Sequence, residues 1–261
     1  MIQISKWYGG FSNNLIQIIN AIKIAKIEKV NFVNFPEHNY FSSTQIKLNL
    51  NKSNSINTEG LFFDTGKKTS PIEMKNIFHE YVEPILQLNN EFTDYAESNN
   101  EITVHLRSGD NFSKHPHNAY IQPPLSFYLK LLESYNLNLV FEDFKNPCIN
   151  KLLSNDKVKN MSSNSFSRDF NFLLNSKNLA IGHGTFGFAI YLISKKLENL
   201  YIPLSSFEDF PLGKWGSHLN IYTIELNDYI EKGKWKNTFL QRRKMLKYKL
   251  KNNFVINHNT K

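Results

Sequence analysis

The first 35 residues predict a strand–turn–helix–strand unit, and this unit restricts the chain to folds that contain parallel strands. A short apolar strand over Met1–Ser5 precedes a helix whose apolar residues recur at three- and four-residue spacing as far as about Lys26. A second strand follows over Val30–Phe35. Because a strand, a helix and a strand in this order form parallel strands with a right-handed crossover, the unit predicts helices packed on a parallel sheet.

The turn between the first strand and its helix contains Gly9 and Gly10, and we expect Ser12 to cap the helix. A helix that starts directly after a glycine turn points free backbone N–H groups at whatever lies above the turn, an arrangement that suits an anion. The turn lacks the G-x-G-x-x-G spacing of dinucleotide-binding proteins, so it does not by itself indicate a dinucleotide site.

The segment Glu101–Asp110, EITVHLRSGD, predicts a buried strand that ends by presenting His105, Arg107 and Asp110. In an open α/β sheet, ligands bind at the carboxyl ends of the strands. The planar guanidinium of Arg107 suits a phosphate, and Gly109 permits a sharp turn or a close approach to a ligand. The alternative is that Arg107 forms an ordinary surface ion pair and that His105 only caps the strand.

A third strand, predicted over 179–181, runs into the turn Gly182-His183-Gly184, and Thr185 starts the next helix. A glycine turn followed by a hydroxyl side chain at a helix start can hold a phosphate with backbone N–H groups. The alternative is a strand–helix connection that needs glycine only for its turn.

The other predicted elements alternate between helix and strand, which favours parallel α/β layers in both halves of the chain. Helices are predicted over 72–88, 125–134, 147–153, 170–174 and 226–250, and strands over 61–63, 137–141, 200–203 and 221–224. Residues 37–59 and 111–122 are predicted loops. The polar segment 89–100 is the expected boundary between an N-terminal lobe, residues 1–99, and a second lobe, residues 100–261.

Composition limits the class of protein and its partners. With 261 residues, of which 41% are hydrophobic, the chain can bury a large core. A formal net charge of +8 and a pI of about 9.3 indicate an anionic partner: a nucleotide, a nucleic acid, a lipid headgroup or a phosphorylated acceptor. The single cysteine, Cys148, excludes an intrachain disulfide and a cysteine-based zinc site. No signal-peptide core and no long apolar run occurs, so we expect a cytoplasmic protein.

Three segments together resemble the motifs of the bacterial α-1,2-fucosyltransferases and of the wider fucosyltransferase superfamily. GGFSNNLIQIINAIKIA resembles the first motif, a GGxGNQ-type turn and helix, and HLRSGD resembles the HxRRGD motif. RDFNFLLNSKNLAIGHGTFGFAIYL resembles the third region, and NLVFED resembles the FSDD strand end between the second and third motifs. The order and spacing also match, and the resemblance spans residues 2–205.

Three departures from the family pattern leave the donor sugar open. Ser108 stands where the family has a second arginine, and Asn14 stands where it has glutamine. In the third motif Gly184 precedes Thr185, and Gly187-Phe188 replaces a serine followed by paired tryptophans.

The resemblance implies a GT-B fold, in which two Rossmann-like lobes enclose the active site in the cleft between them. It implies an inverting, metal-independent transfer of a sugar, by default fucose from GDP-fucose, onto a hydroxyl of a glycan or lipid-linked glycan. No cofactor is implied, and the sequence has no DxD motif of the kind that binds a divalent cation. The implied roles are Arg107 on the β-phosphate, His105 and Asp169 on the nucleoside, Thr185 and Phe186 in the phosphate-binding turn, and Asn13 at the reacting centre. The two glycine turns add Gly9, Gly10 and Gly184 as candidate residues for binding the nucleotide sugar.

The base for the acceptor hydroxyl is open at this level. Some members of the superfamily use an acidic residue in the loop after the arginine, and here that loop contains no glutamate. It offers Asp110, His115 and His117, and a histidine can act as a base near neutral pH. The alternative is that the two histidines are solvent-exposed loop residues.

The C-terminal segment is strongly basic, and no acidic residue follows Glu231. It predicts either a helix with a solvated basic face or a peripheral contact with an anionic membrane through residues 232–251. Three alternatives to a fucosyltransferase stay open: a related enzyme that uses another nucleotide sugar, a catalytically inactive relative that acts as a partner subunit, and a nucleic-acid-binding protein. Nucleic acid is the least expected partner, since it leaves both glycine turns and HLRSGD unexplained.

Overall fold

The chain folds as an α/β protein, as its sequence predicts. The computed structural model describes residues 1–51, 54–63, 69–88, 98–163, 165–204, 219–231 and 233–257. Two compact units are present: unit 1 comprises residues 1–89 and 191–193, and unit 2 comprises residues 90–190 and 194–261. The predicted lobe boundary at 89–100 falls mainly on 89–97, outside the described residues.

The sheet of unit 1 has four strands in the order β3-β2-β1-β4. β1 pairs in parallel with β2 and with β4, and β2 pairs antiparallel with β3. The strands are β1 (Ile2–Ile4), β2 (Phe32–Asn34), β3 (Gln45–Lys47) and β4 (Thr58–Gly60), and helix α1 (Phe11–Glu28) connects β1 to β2. The predicted strand–helix–strand unit is therefore confirmed.

Three predictions for unit 1 differ from the structure. Residues 37–59 hold β3 and most of β4, and no strand forms over 61–63. Both strands are three residues long, and Ile46 is the only buried residue in either of them, so apolar alternation is too short to detect. The helix expected over 72–88 also ends early, since α2 (Pro71–Ile77) passes into a π-helical turn (Phe78–Val82) and a 3-10 turn (Glu83–Ile85).

Helix α1 starts two residues earlier than the expected cap at Ser12 requires. Gly10 is the N-cap, no side chain caps the helix, and Ser12 is buried inside it. Asn14, Gln17 and Asn20 share one buried face of the helix at three-residue spacing. The Gln17 amide donates to the carbonyls of Lys6 and Leu61, at 3.1 and 2.6 Å, and so fastens the chain that leaves β1 and β4.

The sheet of unit 2 has seven strands in the order β11-β10-β9-β8-β5-β6-β7. All neighbouring strands are parallel except β10 and β11. The strands are β5 (Glu101–Leu106), β6 (Asn136–Phe141), β7 (Val158–Asn160), β8 (Asn178–Ile181), β9 (Asn199–Pro203), β10 (Asn220–Ile224) and β11 (Val255–Asn257). The strands expected at 137–141, 179–181, 200–203 and 221–224 are confirmed, whereas β7 and β11 were not predicted.

The strand order of unit 2 locates the edge at which a ligand is expected. Starting from β5, the chain adds β6 and β7 on one side of it and then β8, β9 and β10 on the other. This is the doubly wound order 3-2-1-4-5-6, and it is compatible with a Rossmann-like sheet. The order reverses between β5 and β8, so the crevice outside the carboxyl ends of these two strands is the topological switch point.

Five helices belong wholly or mainly to the described part of unit 2: α3 (Leu125–Leu132), α4 (Pro147–Leu153), α5 (Phe166–Leu174), α6 (Thr185–Ile193) and α7 (Phe239–Lys247). The long helix expected over 226–250 is wrong, because α7 is only nine residues long. Thr238 fixes its start with a capping box that includes Gln241. Among the described residues, no helix is both long and apolar enough to cross a membrane.

The amino ends of the strands in unit 2 are joined by a row of asparagine amides. Asn220 donates to Asn199 at 2.9 Å, Asn199 donates to Asn178 at 2.7 Å, and Asn178 donates to the carbonyl of Glu101 at 2.9 Å. This row ties four neighbouring strands together at the end of the sheet opposite the switch point. The asparagines of this row therefore have a structural role, which the sequence does not predict.

Candidate functional site

Arg107 follows β5 directly and lies at the carboxyl edge of the sheet. Its side chain is 29% exposed, and it is held by two carboxylates. Its Nη2 atom lies 2.7 Å from Oδ1 of Asp110, and its Nη1 atom lies 3.5 Å from Oε2 of Glu142. The ion pair considered as the alternative is therefore present, and it lies beside the topological switch point.

A hydrogen-bond network fastens the loop after β5 to the loop after β6. The hydroxyl of Ser108, which is fully buried, donates to Oδ1 of Asp143 and accepts the N–H of Asn146 at 3.0 Å. The N–H of Gly109 donates to the same Asp143 oxygen at 3.1 Å, and the Asn146 amide donates to the carbonyl of Arg107 at 2.9 Å. Ser108 thus points into the protein, where an arginine side chain would not fit.

The two acidic residues at the end of β6 differ in their electrostatics. Burial alone would raise the pKa of Asp143, but hydrogen bonds from Lys145 and Ser108 hold that pKa well below its usual value. Burial raises the pKa of Glu142, and the positive charge of Arg107 opposes this rise. Asp143 is therefore an ionised structural residue, whereas Glu142 is the acid beside Arg107 that takes up a proton more readily.

The imidazole of His105 belongs to an aromatic cluster formed by β5, α5 and α6. Its ring centroid lies 4.5 Å from that of Phe186, which lies 5.4 Å from that of Phe170. Burial, together with the positive charge of Arg107, lowers the pKa of His105 to about 3. The imidazole is therefore neutral at physiological pH, and it links the Arg107 loop to the start of α6.

Asp169 lies on α5, next to Phe170 of the same cluster. Its Oδ1 atom accepts hydrogen bonds from the backbone N–H and the hydroxyl of Ser163, both at 2.7 Å. These bonds close the loop before α5, so the carboxylate that was expected to contact a nucleoside also has a local structural role.

The turn after β8 contains a glycine pattern that the sequence analysis did not identify. Gly182, Gly184 and Gly187 form the sequence GHGTFG, which has G-x-G-x-x-G spacing, and it follows a strand and opens helix α6. Gly184 is the N-cap of α6 and has φ 136°, in the region that favours glycine. No side chain caps the helix at this position. The motif was detectable, because its spacing and its strand–helix context are both visible in the sequence.

The first and third glycines of this motif permit close packing. A Cβ atom on Gly182 would lie 2.4 Å from Oε1 of Gln122, and one on Gly187 would lie 2.6 Å from Cδ1 of Ile181. The Gly187 contact brings α6 against β8, as the third glycine does in nucleotide-binding turns of this spacing. The turn thus has the close packing, and the helix start without a side-chain cap, that bind phosphate in related geometries.

The loop after the Arg107 turn reaches the glycine turn through aromatic rings. The rings of His117 and Tyr120 lie 4.4 Å apart, and those of Tyr120 and His183 lie 5.3 Å apart. The Gln122 amide donates to the carbonyl of His183 at 3.2 Å. His117 is therefore near the candidate site, whereas His115 lies earlier in the loop. Both side chains are exposed, as the alternative for these histidines expects.

Three predicted residues form a separate group in unit 1, at the carboxyl end of β1. Gly9 has φ 71°, and a Cβ atom there would lie 2.1 Å from Nδ2 of Asn13. Asn13 thus packs against its own glycine turn, and Gly10 caps the helix that follows. The predicted glycine turn between β1 and α1 is therefore a compact turn next to the start of that helix.

Acid is expected to destabilise unit 2 through His105. The folded protein keeps this imidazole neutral down to about pH 3, whereas the unfolded chain takes up a proton near pH 6.5, so stability falls as the pH drops through this window. The loss from this group is at most about 1.4 kcal/mol per pH unit. Urea unfolding between pH 7 and pH 4 should show a shallower loss for His105→Gln than for the wild type, and equal slopes would contradict the assignment.

Within the described ranges, no group of three or more His, Cys, Asp or Glu side chains is placed to hold a metal ion. The candidate site of unit 2 instead combines one arginine, two acids, a neutral imidazole and a glycine-rich helix start. Comparisons with protein-family models, with curated proteins and with solved structures found no significant match to the chain.

Proposed function

We propose that the protein is an inverting, metal-independent glycosyltransferase of fucosyltransferase type, and that unit 2 binds its nucleotide-sugar donor. One observation carries the proposal. Arg107 and the G-x-G-x-x-G turn that opens α6 follow neighbouring strands, β5 and β8, at the switch point of a doubly wound sheet. Nucleotide phosphates bind in this position in sheets of this order.

The chemistry of glycosyl transfer from a nucleoside diphosphate fits these groups. Negative charge grows on the leaving diphosphate in the transition state, and a positioned cation together with backbone N–H groups stabilises it. Arg107 supplies the cation, and the start of α6 at Gly184 and Thr185 supplies the N–H groups. A donor bound across the two would be activated without a metal.

The aromatic cluster beside these groups is the proposed nucleoside side of the site. A nucleobase or ribose could pack against the ring of Phe186, and the neutral His105 offers one hydrogen-bond donor and one acceptor. Asp169 has a second carboxylate oxygen for the same purpose. The cluster is continuous with the proposed phosphate-binding groups, because His105 on β5 lies two residues before Arg107, which follows that strand.

We further propose a GT-B arrangement in which unit 1 takes the acceptor, a glycan or lipid-linked glycan. Asn13 is then the group of unit 1 at the reacting centre, and Gly9 and Gly10 keep their proposed role in binding the donor. The candidates for the base that deprotonates the acceptor hydroxyl are Asp110, His115, His117 and Glu142. Asp110 and Glu142 lie beside Arg107, and a carboxylate with a raised pKa suits proton transfer.

Glu142 is expected to compete with the donor phosphate for Arg107. Its carboxyl lies over Gly109, where a Cβ atom would be 1.6 Å from Oε1, so it occupies space next to the guanidinium. Removing its charge in Glu142→Gln should tighten GDP binding about fivefold at pH 8, the effect of one unit charge about 4 Å away in water. The advantage should shrink as the pH falls, because burial raises the pKa of wild-type Glu142 and its carboxylate takes up a proton more readily. Calorimetric titration measures both affinities.

The matched control is Glu133→Gln. Glu133 pairs with Lys130 of α3, away from the candidate site, so this substitution should leave GDP affinity unchanged. If Glu142→Gln weakens GDP binding, Glu142 holds Arg107 in position instead of competing with phosphate.

The donor sugar is the least determined part of the proposal, because Ser108 replaces an arginine of the family motif. UDP-sugars and other nucleotide sugars are therefore the second candidates. The test is donor hydrolysis: the protein is incubated with GDP-fucose, GDP-mannose, UDP-glucose or UDP-galactose in EDTA, and the free nucleoside diphosphate is measured. Release from one donor, lost in Arg107→Ala, supports the proposal; activity that appears only with a divalent cation contradicts the metal-independent mechanism.

A further inference from the structure

The net positive charge of the chain comes from its last thirty residues. Ten of the 31 Lys and Arg residues, and none of the 23 Asp and Glu residues, lie in 232–261. These thirty residues therefore carry a formal charge of +10, and the first 231 residues carry −2. An anionic partner is thus expected for this segment in particular, not for the surface in general.

The described part of this segment, residues 233–257, is fixed to unit 2 by the following contacts. The side chain of Trp235 is 1% exposed, and its Nε1 atom donates to the carbonyl of Asn111 at 2.8 Å. On α7, Met245 is fully buried, and Arg242 donates to the carbonyl of Phe112 at 3.2 Å. These contacts hold one face of the helix against the core and leave the opposite face to solvent.

The outer face begins with two apolar side chains. Phe239 and Leu240 are 77% and 71% exposed, the highest values for any large apolar side chain in the described part of the protein. They are neighbours in the first turn of α7, and the capping box at Thr238 fixes where that turn starts. A rigid helix that presents an aromatic and an aliphatic side chain together offers an apolar contact that water does not favour.

Exposed cations surround this pair. Arg243 and Lys247 follow Phe239 at four-residue spacing and therefore lie along the same side of the helix. Lys234 and Lys236 lie just before the helix, and all four cations are exposed. Within the described ranges, no carboxylate lies at ion-pair distance from any of them.

We propose that this face of α7, defined by Phe239, Leu240, Arg243 and Lys247 together with Lys236, docks on an anionic lipid bilayer. An apolar pair flanked by cations on a helix is the pattern of an interfacial membrane contact, in which the apolar side chains enter the headgroup boundary and the cations meet lipid phosphates. RNA would engage the cations, but the aliphatic Leu240 has no ring on which a base could stack. The proposal does not depend on the glycosyltransferase assignment.

Co-sedimentation with lipid vesicles tests the proposal. The full chain is mixed with vesicles of phosphatidylcholine alone, or of phosphatidylcholine and phosphatidylglycerol at about 70:30, at low and high salt. We expect binding to the anionic vesicles only, with a loss of affinity at high salt. Phe239→Ala/Leu240→Ala should weaken binding at least tenfold, since each side chain contributes roughly a factor of ten on burial. Lys236→Glu/Arg243→Glu should weaken it about 25-fold or more, at about fivefold per basic side chain.

Two matched variants separate docking from general effects. Leu129→Ala removes a 45% exposed leucine from α3, and Lys151→Glu/Lys157→Glu reverses two exposed lysines elsewhere in unit 2; both should bind vesicles like the wild type. Circular dichroism confirms that each variant is folded. The proposal is overturned if the wild type does not bind anionic vesicles, or if it binds neutral vesicles equally well. It is also overturned if Phe239→Ala/Leu240→Ala and Lys236→Glu/Arg243→Glu bind anionic vesicles like the wild type. Salt-sensitive binding to poly-U RNA without vesicle binding would assign the face to RNA.

Discussion

Replacing Arg107 with alanine is expected to weaken GDP binding by a factor of about 100 and to lower the rate of donor cleavage by about 10²–10³. The guanidinium is the cation at the switch point, and it is available to a ligand because it is 29% exposed. Its loss also leaves Asp110 and Glu142 without their shared partner, so the site would repel phosphate. Calorimetry measures the affinity, and nucleotide release measures the rate.

Two further variants show whether this effect is specific. Arg107→Lys keeps the charge but loses the planar fork of donors, so it should recover only part of the affinity. Arg243→Ala removes an exposed arginine from α7 and should leave GDP binding unchanged. If Arg107→Ala binds GDP like the wild type, Arg107 only forms ordinary surface ion pairs, and the phosphate site must lie elsewhere.

Gly187→Ala is expected to destabilise the protein by about 1–3 kcal/mol, through overpacking between α6 and β8. The added Cβ would lie 2.6, 2.8 and 2.9 Å from the Cδ1, Cγ2 and Cβ atoms of Ile181. Because the Cβ atom of Ile181 does not move when the side chain changes rotamer, such a change cannot relieve the contact. The sign of the effect is informative. In an unobstructed helix, the same substitution stabilises by about 1 kcal/mol.

A double-mutant cycle with Ile181→Ala tests the packing directly. Ile181→Ala alone should cost about 2–5 kcal/mol, because it opens a cavity in the core. The methyl group of Gly187→Ala should fill part of that space, so the double variant should be more stable than the sum of the two single effects by about 0.5–3 kcal/mol. Denaturant unfolding gives all four stabilities. Strict additivity, or a stabilising Gly187→Ala, would show that α6 does not approach β8 closely.

The sequence predicts the elements that position the site, because those elements are long and apolar. β5 has four buried residues in six, and β6 has five in six, so their patterns extend far enough to be recognised. β3, β4, β7 and β11 have three residues each and few buried ones, so their formation depends on pairing with a neighbour. The last helix is overpredicted because Trp235, which precedes α7, is apolar for tertiary packing and not for a helical face.

The residues of the candidate site also differ in how well the sequence predicts them. Arg107, His105 and the glycine turn are local to their strands, and the sequence places them correctly at strand ends. Glu142 is 35 residues from Arg107, and the contact between them arises only because β5 and β6 are neighbours in the sheet. Side-chain partners of this kind depend on strand order, which the sequence pattern does not specify.

The most direct test of the account is calorimetric titration of the wild-type protein with GDP, UDP, ADP and CMP in the presence of EDTA. We expect one nucleoside diphosphate, GDP before the others, to bind at a single site without a metal and more tightly than the monophosphate CMP. Tight binding of a different diphosphate would keep the phosphate site and change the donor. If none of the four nucleotides binds, the switch point of unit 2 is not a nucleotide site, and the glycosyltransferase proposal is contradicted.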